Sequence, residues 1–220
     1  MHSKLLKLFS LSCVLFFSYP VQAMTFKLAQ VDTSARCGTT CPLIVQAEGS
    51  IGKDTATEFV EFLKTQPRTS QLKAIVFMNS PGGVLEGAMK LGFVFRQLKL
   101  TVAIAEAGRT GEGSVTSAQC YSACVYALMG GKKRIVPLAS KVGIHSIFTN
   151  RFEFDPLHAE PPFRKVPAPT SVNDVARKYT KYMGVSEELV NLGESVSPST
   201  ISILTPAQIA QFRLGVQRLK

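Results

Sequence analysis

Several features that would narrow the function at once are missing from this 220-residue sequence. It has no internal repeat, no long basic run and no phosphate loop, because Gly130-Gly131-Lys132 lacks the required glycine spacing. The excess of 25 Lys and Arg over 15 Asp and Glu is scattered, which is typical of a solvated basic surface. Without a recognisable binding motif, this charge argues against a nucleic-acid partner and leaves peripheral contact with an anionic membrane surface as the alternative.

The N-terminus has the pattern of a secretory signal peptide. Lys4 and Lys7 precede the apolar run 8–17, which is too short to cross a bilayer as a helix. Small residues then lead to Ala23 as the cleavage position. We therefore predict a signal peptide over residues 1–23, a single mature domain from residue 24 to 220, and a periplasmic or secreted protein.

Four cysteines remain in the predicted mature chain, in two C-x3-C pairs: Cys37, Cys41, Cys120 and Cys124. An even number in an exported protein favours disulfides over a zinc site, and the spacing alone leaves their connectivity open. Cys120 and Cys124 can bridge only if Cys120 precedes the helix, because a regular helix holds such a pair too far apart. We predict no metal.

Strand-like and helix-like patterns alternate through the first two thirds of the chain. Thr55 and Glu58 have the spacing of a capping box ahead of a helix, and residues 108–119 form a polar, glycine-rich stretch typical of a loop. This order predicts an α/β fold with right-handed crossovers. The predicted strands are 42–51, 73–80, 101–107 and one or two in 134–148, and the helices follow Thr55, run through 84–98 and occupy 122–129.

The pattern changes towards the C-terminus. Five prolines in residues 151–170 predict a long irregular excursion without regular backbone pairing. Ser171 or Asn173 can cap a helix through VARKYTKYM, and SEELVNLG forms a second one. Thr205, followed by proline, begins the last helix. We call residues 149–200 the handle.

Two turns, the first of which contains two glycines, suggest nucleophilic catalysis. Asn79-Ser80-Pro81-Gly82-Gly83 follows a predicted buried strand, so that backbone N–H groups can face a cavity and stabilise an oxyanion. Ser122 lies at the next turn from loop to helix. His145 follows on a strand and, as a neutral imidazole, could accept the serine proton.

These segments resemble the Clp protease proteolytic subunit and signal peptide peptidase A, members of the ClpP/crotonase superfamily. The similarity lies in MNSPGGVLEGAMKL, CYSACVYALMGGKKRIVPLASKVGIH and ILTPAQIAQFRLGV. It implies repeated β-β-α units with a helical handle. In that family the positions of Ser122 and His145 hold the nucleophile and the base, and those of Gly83 and Ala123 supply the amides of the oxyanion hole.

The third catalytic residue of that family, an aspartate, has no counterpart here. Ser197 falls at its position, and Glu194 is the nearest carboxylate, which makes it the candidate acid. Lys141 shares a strand face with His145, so a serine–lysine pair like that of signal peptide peptidase A is an alternative.

The sequence thus predicts an exported serine hydrolase, a peptidase acting on a peptide or protein substrate without a cofactor. The resemblance also implies a homo-oligomer assembled through the handle. The missing acid leaves a non-catalytic binding or assembly module as the main alternative. A crotonase-type enzyme acting on a thioester is disfavoured, because coenzyme A esters are cytoplasmic.

Overall fold

The computed structural model describes residues 22–31, 42–67, 72–108, 115–152 and 163–217. Most of the predicted signal peptide, together with Cys37 and Cys41, lies outside these ranges.

Twelve strands and six helices make up the described part of the chain. The strands are β1 (Thr25–Gln30), β2 (Leu43–Glu48), β3 (Leu72–Asn79), β4 (Thr101–Ala103), β5 (Ala105–Ala107), β6 (Val115–Ser117), β7 (Gln119–Tyr121), β8 (Lys133–Ile135), β9 (Lys141–Ile144), β10 (Phe148–Phe152), β11 (Phe163–Pro167) and β12 (Ser202–Ile203). The helices are α1 (Thr55–Thr65), α2 (Leu85–Gln97), α3 (Cys124–Met129), α4 (Thr170–Tyr182), α5 (Glu188–Glu194) and α6 (Pro206–Gln211).

The main sheet confirms the predicted α/β architecture. Its strand order is β1-β2-β3-β4-β8, and all neighbours are parallel except β1, which runs antiparallel to β2. The apolar run Val76-Phe77-Met78 of β3 is buried, as parallel strands with connecting helices require. Phe59 of α1 and Phe95 of α2 pack edge to face in this core, with ring centroids 5.2 Å apart.

A smaller sheet, of order β12-β9-β7, meets the main sheet at Ser80. The Ser80 N–H donates to the Gln119 carbonyl at 2.8 Å, and the Tyr121 N–H donates to the Ser80 carbonyl at 3.1 Å. The end of β3 therefore lies beside β7, which brings the glycine turn after β3 against the turn between β7 and α3.

Only one of the two predicted capping boxes forms. Thr205 accepts from the Gln208 N–H, and the Gln208 side chain accepts from the Thr205 N–H, as predicted. Thr55 is instead the first residue of α1, and its hydroxyl accepts from the Gly52 N–H at 2.9 Å. That prediction was wrong because the hydroxyl is engaged by the preceding turn.

The handle is more regular than its prolines suggested. β10 pairs with β11 over five residue pairs, from Phe148↔Pro167 to Phe152↔Phe163. The prediction of an irregular segment was wrong here, because Pro167 lies at the end of a two-stranded ribbon, where its missing N–H costs no internal hydrogen bond. Similarly, β5 and β6 pair within and beside the predicted loop 108–119.

α4 begins one residue before Ser171, with Pro169 as its N-cap residue and no side-chain cap. The capping roles predicted for Ser171 and Asn173 were therefore wrong. The Val172 N–H donates to the Pro169 carbonyl at 2.9 Å, so the backbone alone closes the first turn.

Two arginines join the end of α4 to the core. Arg96 and Arg134 both donate to the carbonyls of Met129, Gly131 and Met183, at 3.0–3.4 Å. These carbonyls lie at or just beyond the C-terminal ends of α3 and α4, where cations are favoured. None of the helices described here has both the length and the hydropathy needed to cross a bilayer.

Candidate functional site

Ser122 lies at a sharp turn between β7 and α3, with a left-handed φ of +55°. Few residues other than glycine adopt this conformation, and those that do are enriched at functional sites. The Ser122 N–H donates to the Gly143 carbonyl at 2.9 Å, and its carbonyl accepts from the Val125 N–H at 3.1 Å. The turn therefore has the form of a nucleophile elbow, which lifts a side chain out of the strand direction.

The glycine turn after β3 fits against this elbow. A Cβ atom at Gly82 would lie 2.9 Å from the Cβ of Ser122 and 2.6 Å from the Tyr121 carbonyl. Gly83 has a φ of +140°, and a Cβ there would overlap the backbone of Ile51. Glycine is thus required at both positions for the two turns to approach this closely.

All five residues predicted for the chemistry line one cavity of about 370 Å³: Ser122, His145, Gly83, Ala123 and Glu194. They come from separate segments, and the meeting of the two sheets brings them together. Among the described residues, none accepts a hydrogen bond from the N–H of Gly83 or of Ala123. Both amides are therefore available to an oxygen atom bound in the cavity.

His145 follows β9 and is half-buried, with its Nδ1 atom 2.7 Å from the Ser146 carbonyl oxygen. A carbonyl can only accept, so Nδ1 carries a proton, and in the neutral form of the ring the lone pair lies on Nε2. The ring of Phe148 lies against the imidazole, with centroids 5.5 Å apart. A backbone carbonyl thus orients this histidine, where hydrolases of the triad type use a carboxylate.

Glu194 lines the cavity, but its carboxylate faces a different partner. Its Oε2 atom accepts from Arg177 at 2.5 Å, and Arg177 also donates to Asp174 at 3.0 Å. Within the described ranges no hydrogen bond joins Glu194 to His145. Ser197 is exposed and does not line the cavity.

Lys141 is exposed on β9, outside the cavity. No lysine in the described part of the chain lines it. The geometry therefore favours His145 over Lys141 as the base. The described residues also include no group of three His, Cys, Asp or Glu side chains that could hold a metal ion.

The sequence did not reveal most of the cavity wall. Tyr126 lies one turn after Ser122, and this spacing could have identified it. Burial, and then the Glu194 carboxylate, raise the pKa of Tyr126 well above its ordinary value. The handle supplies Asn173, Leu189 and Val190, for which no sequence signal exists. The Oδ1 atom of Asn173 is buried and accepts no hydrogen bond from the described residues.

Cys120 and Cys124 flank the elbow and are joined in the structure by a disulfide, with Cα atoms 5.3 Å apart. Cys120 belongs to β7 and Cys124 is the first residue of α3, so the first cysteine precedes the helix, as the bridge requires. The other two cysteines of the predicted set lie outside the described residues.

Comparisons with known proteins give structural matches only. No protein-family model matches the chain, and no curated protein does. A mutant of the 1510-N membrane-bound stomatin-specific protease, with a serine replaced by alanine, matches with a TM-score of 0.52 at 16% identity, covering 79% of this chain and 78% of that one. A second mutant of the same protease, with a lysine replaced by alanine and a substrate peptide bound, gives 0.52 at 17% identity, covering 79% and 74%.

The ClpP protease catalytic domain from Plasmodium falciparum also matches, with a TM-score of 0.45 at 14% identity, covering 79% of this chain and 83% of that one. The fold assignment rests on the two matches to the stomatin-specific protease. They confirm the predicted ClpP/crotonase-like α/β fold, and at these identities they establish the fold alone.

Proposed function

We propose that this ClpP/crotonase-like chain is an exported serine hydrolase that cleaves peptides. The observation that carries the proposal is the left-handed elbow at Ser122, which opens into the same cavity as His145 and the amides of Gly83 and Ala123. A packing serine needs no such turn, whereas a nucleophile gains exposure from it. The two structural matches, both to a protease, add support.

In this mechanism the Ser122 hydroxyl oxygen attacks the substrate carbonyl carbon while its proton passes to Nε2 of His145. The N–H groups of Gly83 and Ala123 stabilise the oxyanion of the tetrahedral intermediate. His145 then gives the proton to the leaving amine, so the peptide bond breaks and an ester remains on Ser122. Water, deprotonated by His145, hydrolyses that ester and restores the hydroxyl.

The Ser146 carbonyl replaces the acid of a triad in this proposal. It holds the imidazole in the tautomer that can accept a proton, but it does not provide the negative charge that stabilises the imidazolium. We therefore expect a slower enzyme than a triad hydrolase. Glu194 forms an ion pair with Arg177 in the cavity wall, so its carboxylate has a structural role in this proposal.

The alternative is a binding or assembly module that keeps the fold without turnover. It is favoured by one observation, the absence of any hydrogen bond between His145 and a carboxylate among the described residues. In that case the cavity would hold a peptide without cleaving it.

A fluorophosphonate probe separates the two functions. We expect it to label the mature protein, and Ser122→Ala to abolish the label without loss of folding. Ser117→Ala, at an exposed serine of β6, is the matched control and should label like the wild type. An unlabelled but native wild type would contradict the hydrolase and favour the binding module.

Export and self-association belong to the same proposal. A signal peptide cleaved after Ala23 places the mature protein in the periplasm or outside the cell, where disulfides persist. The handle exposes the rings of Phe152 and Phe163, which pack on each other with centroids 5.6 Å apart. Such an apolar pair on a protruding ribbon suits an interface between copies of the chain.

A further inference from the structure

The disulfide between Cys120 and Cys124 closes a ring of only five residues, and this ring contains both Ser122 and Ala123. The proposed nucleophile and one of the two proposed oxyanion donors thus lie on the same short, crosslinked turn. The side chains of both cysteines are fully buried, so the crosslink is anchored in the core while the turn between them faces the cavity.

The Ser122 N–H is held by a hydrogen bond to the Gly143 carbonyl at 2.9 Å, whereas the peptide between Ser122 and Ala123 is held less firmly. The Ser122 carbonyl accepts from the Val125 N–H at 3.1 Å, and among the described residues this is the one hydrogen bond to the peptide plane that carries the Ala123 N–H. A serine at a φ of +55° relaxes to the ordinary negative region unless its surroundings prevent it. Such a relaxation would rotate both the Ser122 hydroxyl and the Ala123 amide away from the reacting carbonyl.

We infer that the Cys120–Cys124 disulfide is a positioning element of the active site, which holds Ser122 and Ala123 in reactive geometry. This inference rests on the proposed hydrolase function. The crosslink holds the Cα atoms at the end of β7 and the start of α3 5.3 Å apart, and so restricts the conformations open to the turn between them. Residues outside the ring, including Leu189 and Val190, line the rest of the cavity and would bind the substrate. The disulfide therefore acts on the chemical step and leaves substrate binding unchanged.

The test compares the kinetics of fluorophosphonate labelling in the mature wild type and in Cys120→Ala/Cys124→Ala. The maximal labelling rate at saturating probe reports the chemical step, and the half-saturating probe concentration reports binding. Both are measured well below the melting temperature of the variant, with folding verified by circular dichroism. Cys37→Ser/Cys41→Ser is the matched control, because it removes the other cysteine pair and keeps the crosslink.

We expect the maximal rate to fall between about tenfold and a hundredfold in the double alanine variant, as for an active-site group displaced by about 1 Å. The half-saturating concentration should stay within about twofold, and the control should match the wild type. A folded variant with an unchanged maximal rate would overturn the inference and leave the proposed function intact. An unlabelled wild type would overturn both.

Should the double alanine variant not fold, Cys37→Ser/Cys41→Ser reduced with a phosphine provides the second test. The same fall in maximal rate in a folded, reduced protein supports the positioning role. Unfolding in both cases would contradict it, because the crosslink would then serve folding alone.

Discussion

The Ser122 elbow and the handle differ in what fixes their conformation. At the elbow, backbone geometry sets the conformation, through two glycines and a serine with positive φ and the hydrogen bonds between the neighbouring turns. In the handle, side-chain contacts set how α4 docks: the ring of Tyr179 packs against Phe93 and Tyr126, and two arginines donate to the carbonyl at the end of α4. Backbone constraints leave a short, recognisable motif in a sequence, whereas docking by side chains leaves almost none.

The largest expected effect is on the free energy of unfolding, when a methyl group is added at a glycine of the elbow. Gly83→Ala places a Cβ 2.1 Å from the Ile51 carbonyl oxygen at a φ of +140°. We expect it to lower the free energy of unfolding by more than about 4 kcal/mol or to prevent folding. Urea denaturation followed by circular dichroism measures this.

Gly184→Ala, at the end of α4, is the matched control. It also has a positive φ, +70°, but no atom lies within 4 Å of the added Cβ. Its cost should be about 1–2 kcal/mol, from the left-handed conformation alone. An equal loss of unfolding free energy in the two variants would mean that close packing around Gly83 does not stabilise the elbow.

His145→Gln should have the next largest effect, and it should act on rate alone. Glutamine keeps a polar side chain of similar size but cannot accept the proton from Ser122. We expect the rate of probe labelling to fall between about 10²-fold and 10⁴-fold, the range of a general base. Lys141→Gln, on the exposed part of β9, should label at the wild-type rate. If the lysine variant lost labelling and the histidine variant kept it, the proposed base would be wrong.

The attachment of the handle should depend on pH. Burial raises the pKa of Tyr179 above its ordinary value, and its hydroxyl donates to the Tyr126 carbonyl at 2.8 Å. A raised pKa means that the folded state keeps a proton that the unfolded state loses above about pH 10. The stability from this group is therefore complete below pH 10 and is lost as the pH rises towards the folded pKa.

Tyr179→Phe should cost about 1 kcal/mol at neutral pH, the value of one hydrogen bond, and should reduce the alkaline loss of stability to the part that comes from Tyr126, whose pKa is also raised. Tyr182→Phe, at an exposed position on the same helix, should change neither. Urea denaturation between pH 7 and about pH 11 gives both quantities. The same alkaline slope in both variants would show that Tyr179 is not the titrating group.

The smallest effect on stability should come from the tip of the handle. Phe152 and Phe163 are 59% and 60% exposed, so replacing both with serine should change the free energy of unfolding by less than about 0.5 kcal/mol. The labelling rate should also stay constant, while the mass by sedimentation should fall. Leu138→Ser, at an exposed residue outside the handle, should leave the mass unchanged. A wild type that already sediments as a monomer would contradict self-association through the handle.

The sequence predicted the residues of the site better than the handle around it, because backbone constraints are visible in a sequence and side-chain docking is not. Gly82 and Gly83 are required by backbone geometry, so their spacing from Ser122 and His145 could be recognised. The paired strands of the handle could not be recognised, because the prolines in this segment predict irregular structure. Pro167 nevertheless lies at the end of the ladder, where it is compatible with strand pairing. The contributions of Asn173 and Leu189 to the cavity depend on how α4 and α5 dock, and no local pattern encodes that.

The most direct test of Ser122 as the nucleophile is to locate the probe by mass spectrometry of peptides from the labelled mature protein. We predict a single adduct on Ser122, with a stoichiometry approaching one per chain. An adduct on any other residue, or none on a native protein, would contradict the assignment of Ser122 as the nucleophile.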